Sequence, residues 1–204
     1  MKDNMTFDEI INEQISAIKA IPGSGISEAI KIIYDSDGKI ITTGIGKAGL
    51  IARKVSATLS STGSPSVFMH AADAQHGDLG MLSDSDVIIA FSNSGKTREV
   101  VETISSARSL FPAVPIVTIT SNPDSILARS SDVTIETGSY PELCPLGLAP
   151  TSSSMAMLAI GDILSVMIME KKNFGIKDFH QRHHGGYLGK MLSAASKKSL
   201  KKEQ

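Results

Sequence analysis

The spacing of apolar residues changes character partway along the chain. Before residue 35 it is helical. Thr6-Phe7-Asp8-Glu9 is a capping-box pattern, and Ile10, Ile11, Ile15, Ile18 and Ile21 follow it as an apolar stripe. Pro22-Gly23-Ser24-Gly25 breaks that helix, and Ser27 to Tyr34 reads as a second, shorter one. From Lys39 onward, short runs rich in β-branched residues take over. They lie at 39–43, 66–69, 86–91 (DVIIAF), 115–120 (PIVTIT) and 132–136 (DVTIE). Helical segments separate them, from about Ala48 to Ser60, from Arg98 to Leu110, and a short one near Ser125–Ala128. An irregular stretch from Gly138 to Ser153 leads into a long apolar helix that ends at Lys172, and another short helix precedes Gly185-Gly186.

Strands that are apolar throughout and alternate with helices predict a parallel sheet covered on both faces, with right-handed crossovers. The expected architecture is a doubly wound α/β domain, a three-layer α/β/α sandwich. Residues 1–37 are expected to form helices that pack on a domain spanning 38–192, and 193–204 a solvated basic tail containing Lys197, Lys198, Lys201 and Lys202. The longest apolar run, Met155 to Met169, is too short for the roughly 30 Å hydrocarbon core of a bilayer and is interrupted by Asp162. It predicts a buried helix. The start of the chain has no uninterrupted apolar stretch of the signal-peptide kind, so a cytoplasmic protein is expected.

Composition removes several function classes. The 204 residues are 41% hydrophobic and 20% charged, a globular balance. Twenty Lys+Arg against 21 Asp+Glu leave a net charge of −1, so no bulk positive field favours nucleic acid or an anionic membrane as partner. Cys144 is the single cysteine, which excludes an internal disulfide and a multi-cysteine zinc site.

In an open α/β sheet, ligands bind outside the carboxyl ends of the strands, near the point where strand order reverses. The turn after the first strand, Gly44-Ile45-Gly46-Lys47-Ala48-Gly49, matches G-x-G-x-x-G literally. The acid that a dinucleotide fold needs after its second strand is missing, since Met69 and His70 stand there. Nor is the turn a P-loop, because Ile41 replaces the first glycine and Ala48 the Ser/Thr. Lys47 is therefore read as a ligand-facing cation. After the third strand, Ser92-Asn93-Ser94-Gly95-Lys96-Thr97 brings hydroxyls, a glycine and a lysine to a helix start. Ser94 or Thr97 alone would cap that helix, so the cluster exceeds the needs of capping and suits a phosphate monoester.

His70 and His76, with Asp73 and Asp78, flank the loop after the second strand, at a spacing that matches no standard metal-ligand pair. Glu99 lies in the first turn of its helix, where the dipole alone would favour it. Glu142 sits in the irregular stretch, where it reads equally as a solvated carboxylate. His183-His184-Gly185-Gly186 closes a short helix. The set suits proton transfer on a small phosphorylated molecule, with no redox cofactor required.

Together, GIGKAG (44–49), STGSPSVFMH (61–70), AQHGDLGM (74–81), SNSGKT (92–97) with Glu99, ELCPLGLAPTSS (142–153) and HHGGYLG (183–189) resemble the sugar isomerase (SIS) domain. Within it they most resemble the D-arabinose 5-phosphate isomerases. The resemblance covers about Gly38 to Leu192. It implies a five-stranded parallel sheet between helical layers and a homotetramer with active sites at subunit contacts. It also implies interconversion of D-ribulose 5-phosphate and D-arabinose 5-phosphate, supplying synthesis of 3-deoxy-D-manno-octulosonate for lipopolysaccharide. It carries catalytic roles onto Lys47, Glu99, Glu142 and His183, and substrate binding onto Gly46, Gly63, Ser64, His70, His76, Ser92, Ser94 and Thr97. His70 matches a position that binds zinc in relatives, where metal tends to inhibit, so zinc is expected to be incidental and no cofactor required.

This sequence departs from the family in three ways. Lys96 stands where many relatives have glutamate, and His183-His184-Gly185-Gly186 where many have His-Pro-Gly-Gly. Larger relatives continue into paired CBS modules, which this sequence does not contain, so regulation through them is not expected.

The expected chemistry starts with a phosphate held by Ser92, Ser94, Thr97 and the helix start. A base removes the C2 proton of the aldose to give an enediolate, which is reprotonated at C1. That base needs a pKa nearer neutrality than a free glutamate, and a desolvated Glu142 or His183 is the candidate. Lys47 offsets charge on the enediolate oxygens, and Glu99 or His76 assists ring opening. Two alternatives stand beside this reading. A sugar-phosphate-binding module without turnover would need only the hydroxyl turn, and a dinucleotide-binding oxidoreductase would rest on the glycine pattern alone.

Overall fold

The computed structural model describes residues 5–183. Two helices open it, α1 (Phe7–Lys19) and α2 (Ile26–Asp35). Strands and helices then alternate: β1 (Ile40–Gly44), α3 (Gly46–Ser61), β2 (Ser66–His70), α4 (Ala71–Ala74), β3 (Val87–Phe91) and α5 (Arg98–Leu110). β4 (Ile116–Thr120), α6 (Ile126–Arg129), β5 (Val133–Glu136), α7 (Ser152–Lys171) and α8 (Ile176–Arg182) complete the order, and a single 3-10 turn, Asp78–Met81, precedes β3.

The five strands are parallel, in the order β2-β1-β3-β4-β5. β1, β3 and β4 are buried at every position, as a sheet covered on both faces requires. Their side chains alternate between two cores. Val87, Ile89 and Phe91 join α2, α3 and α7 on one face, where they meet Ile33, Val55, Leu59 and Leu164. Ile88 and Ala90 join α4, α5 and α6 on the other, with Val100, Ile104 and Leu127. The three-layer α/β/α sandwich is thus the observed architecture.

One expectation about the helices needs correction. α7 was expected to be buried, yet Met155, Ile163, Val166 and Met167 are exposed. By length and composition this helix could cross a membrane, and half of it is buried against the rest of the fold. α7 is apolar around its whole circumference, so burying one side against α1, α2 and α3 leaves the opposite side uncovered. The α1 stripe behaves likewise: Ile10, Ile11 and Ile15 are exposed, and Ala17 is the buried residue of that helix.

Candidate active site

β1 and β3 are adjacent, but the chain leaves them in opposite directions, to β2 on one side and to β4 on the other. Such a reversal opens a crevice above the carboxyl ends of the two strands. The loops after β1 and β3 meet in a pocket of 240 Å3, whose wall includes Ile45, Lys47, Ser92, Ser94, Thr97 and Ser153.

The loop after β3 is fixed before any ligand arrives. The Asn93 carbonyl accepts hydrogen bonds from Thr120 Oγ1 (3.0 Å), Ser121 Oγ (2.8 Å) and the Ser121 amide (3.0 Å), which pins the loop to the end of β4. Gly95 has φ +62°, and a Cβ there would lie 2.0 Å from Ser125 Oγ, so the turn requires glycine both for its backbone angle and for its room. Thr97 occupies the N-cap position of α5 but makes no capping bond. Its hydroxyl instead meets Ser92 Oγ at 2.8 Å. Among the described residues the first-turn amides of α5 have no side-chain cap at the pocket wall, an arrangement chemically suited to an anion.

Two further helix starts converge on the same pocket. α3 begins at Gly46, and its close seat on β1 depends on Gly49, where a Cβ would come within 2.9 Å of the Gly44 carbonyl oxygen. The literal G-x-G-x-x-G is thus a packing device. This seat places Lys47, exposed, in the first turn. The opposite wall is the start of α7, with Pro150, Ser153, Ser154 and Met157. Sequence reasoning left these residues out of the site, although Thr151-Ser152-Ser153-Ser154 ahead of an apolar run was visible as a cluster of hydroxyls.

Glu142 stands one step behind that wall. Its Oε2 accepts from the Thr151 amide (2.6 Å) and Thr151 Oγ1 (2.9 Å). Burial raises its pKa, but the donors of Ser153 and Thr151 outweigh burial and hold the carboxyl below the usual carboxylate range. This corrects the expectation of a desolvated glutamate shifted toward neutrality. Glu99 is half-buried in the first turn of α5, outside the pocket wall.

Lys47 also borders a larger neighbouring pocket of 530 Å3, with Gly46, Arg53, Phe68, His70 and Asp73. Arg53 lies over the Phe68 ring at 5.4 Å. His70 Nδ1 is 3.7 Å from Asp73 Oδ2, beyond hydrogen-bond reach, and has no hydrogen-bond partner among the described residues. His76 is exposed in the loop that follows. Among the described residues no three metal-ligating side chains converge, so His70 and Asp73 are the donors available to an ion here.

The remaining expected residues lie elsewhere. Gly63 and Ser64 follow α3 and precede β2, on the opposite edge of the sheet from the pocket. Ser64 is buried and accepts from Lys172 Nζ at 2.9 Å, while a Cβ at Gly63 would meet Phe174 at 2.3 Å. α7 rises about 30 Å from the pocket toward that edge, so α8 and His183 belong there too. His183 stacks on Phe179 at 3.8 Å, with Nδ1 2.9 Å from the Phe179 carbonyl oxygen. One chain therefore gathers Lys47, Ser92, Ser94 and Thr97, sets Gly46 and His70 beside them, and does not bring Gly63, Ser64 or His183 to the pocket. The expectations for His184-Gly185-Gly186 and for the basic tail fall outside the described residues.

Comparison with known proteins agrees with this geometry. An arabinose 5-phosphate isomerase of Francisella tularensis is 43% identical over 183 residues, 88% of this chain and 55% of the relative. The chain therefore spans about half the length of the curated relatives it matches. Among solved structures, a candidate phosphosugar isomerase involved in capsule formation from Bacteroides fragilis superposes with a TM-score of 0.86 at 45% identity, covering 88% of this chain and 96% of that one. An Escherichia coli CFT073 protein in complex with arabinose 5-phosphate superposes with a TM-score of 0.82 at 37% identity, covering 85% and 93%. The sequence profile of the SIS domain matches residues 32–167. On this profile match, together with the sequence identity and the superposition, the chain belongs to the SIS domain family.

Proposed function

We propose that the chain is an aldose–ketose isomerase interconverting D-ribulose 5-phosphate and D-arabinose 5-phosphate through an enediolate, upstream of 3-deoxy-D-manno-octulosonate synthesis for lipopolysaccharide. The observation that carries this reading is the unoccupied N-cap function of α5. Thr97 and Ser92 hold each other, and the helix start remains open to a phosphate beside Lys47. The arabinose 5-phosphate isomerases among the relatives and the arabinose 5-phosphate complex of a structural neighbour supply the substrate.

In this reading the phosphate sits at the Ser92–Thr97 turn, and the open-chain sugar reaches past Lys47, which offsets charge on the enediolate oxygens. Glu142 is ionised throughout the neutral range. It is always available to take a proton, but as a weaker base than a glutamate shifted upward would be. The separation of His183 from the pocket supports a site completed by a second copy, and a homotetramer is the proposed assembly. His76 and Glu99 would then act on the sugar from the rim. No metal is required, and zinc at His70 is incidental. The protein is cytoplasmic, and nucleic acid and membrane are not partners.

One observation favours a second reading, a module that binds a sugar phosphate without turnover. In a single chain none of Glu99, Glu142 and His183 lines the pocket. Deuterium NMR separates the two. EDTA-treated protein incubated with D-ribulose 5-phosphate in heavy water is expected to yield arabinose 5-phosphate carrying deuterium at C2. Binding without exchange would replace the isomerase with the module.

A further inference from the structure

We propose that Thr151 is the positioning residue for Glu142, holding Oε2 of the carboxylate at the head of α7; this rests on the isomerase reading above. Thr151 is the N-cap residue of α7, where a threonine hydroxyl ordinarily accepts from an amide of the first turn. Here it makes no such bond. Its amide and its hydroxyl both donate to Glu142 Oε2, at 2.6 and 2.9 Å, while the hydroxyl oxygen accepts from the Leu143 amide at 2.9 Å. Thr151 thus ties the residue after Glu142 and one of its carboxylate oxygens to a single point at the head of a 20-residue helix. Two donors from one residue fix Oε2 relative to the helix start, and Ser153 adds its own donors to the same carboxylate.

Thr151 shares the carboxylate with Ser153 and not with a cation. Among the described residues no lysine, arginine or histidine forms an ion pair with Glu142. Ser153, which acts on the carboxylate in the same direction, is the bridge to the pocket, because it also lines the wall that holds Lys47. Cys144, two residues on in the same loop, is the titratable neighbour, and its sulfur is occupied by the amides of Leu148 and Ala149, each at 3.2 Å.

The test compares wild type with T151V, which lacks the hydroxyl, and T151S, which keeps it. The titration midpoint of Glu142, followed by NMR of carbon-13-labelled glutamate in the ligand-free protein, should rise by about one pH unit in T151V. The acid limb of kcat/KM for D-ribulose 5-phosphate should move up with it, kcat should fall more than KM changes, and T151S should restore all three. If the Leu143 amide left without an acceptor keeps T151V from folding, T151C preserves the shape with a weaker donor and is read in the same way. A folded variant whose Glu142 midpoint does not move overturns the proposal and leaves the isomerase reading intact. Wild-type protein without isomerisation would overturn that reading instead, and the midpoint alone would then decide whether Thr151 holds the carboxylate.

Discussion

Among the described residues three helices begin with a threonine at the N-cap, and they use it differently. Thr6 caps α1 in full: its hydroxyl accepts from the Glu9 amide at 3.3 Å, and Glu9 Oε2 accepts from the Thr6 amide at 2.7 Å. Thr97 and Thr151 stand at the same position of α5 and α7 and cap nothing. One turns its hydroxyl to Ser92 and the other to Glu142. An exposed helix with no ligand to serve satisfies its own amides. α5 and α7, whose starts reach the strand-end crevice, do not use the threonine hydroxyl on their own first turns and turn it to arranging the site. The residue type is the same in all three places, so the difference is set by where the sheet delivers each helix start.

The sharpest way to break this contrast is to disturb the loop that feeds α5. Gly95→Ala places a Cβ against Ser125 Oγ at a left-handed backbone angle, so the loop must shift. With the phosphate turn displaced by an ångström or so, kcat/KM for D-ribulose 5-phosphate should fall by about a hundredfold. Pairing it with Ser125→Gly removes the clash but not the strain, so partial recovery is expected. Full activity in Gly95→Ala alone would show that the turn does not set the phosphate position.

Smaller effects should separate the threonines themselves. Thr97→Val removes a hydroxyl from the anion site, and KM should rise about tenfold or more, as for loss of a hydrogen bond to a charged group. Thr6→Ala should leave KM alone and cost about 1 kcal/mol of stability, a fall of a few degrees in Tm by calorimetry. An unchanged KM in Thr97→Val would reduce the Ser92–Thr97 pair to packing.

The same contrast explains what could and could not be read from residues alone. α5 falls at Arg98–Leu110, as its apolar spacing predicts, and the strands agree to within a residue or so, because period and flanking turns are local properties. The hydroxyl cluster at 92–97 was legible as more than a cap. The cluster at 151–154 was not, because a threonine followed by serines ahead of an apolar run is also what an ordinary helix start looks like. The exposure of α1 and α7 was hidden for a different reason: periodicity shows that a face is apolar and not what covers it. Gly63 and Ser64 entered the reading through family resemblance, which also chose His183 from a histidine pair visible in the sequence, and a single fold puts all three on the far edge, where no local signal could have assigned them to the pocket. The direction of the Glu142 shift was likewise closed to sequence, since it depends on donors nine and eleven residues away.

The weakest expected effect tests the comparison through acid stability. Thr6 donors lower the Glu9 pKa, and the donors of Ser153 and Thr151 lower that of Glu142 despite its burial. A carboxyl whose folded pKa lies below its unfolded value contributes stability that is fully present above the ordinary value of 4.5, and that contribution is lost as pH falls through the depressed folded value. The slope of Tm against pH below 4.5 should therefore be shallower in E9Q and E142Q than in wild type. Asp86, buried and held by Lys39 and Ser83, supplies a slope of the same sign, so each variant is read as a difference from wild type. E142Q should flatten the curve more than E9Q, because Glu9 is fully solvated and water replaces much of what Thr6 provides. Equal flattening would mean that Thr151 and Ser153 hold Glu142 no more firmly than a surface cap holds its glutamate, and the allocation of hydroxyls to the crevice would lose its energetic basis.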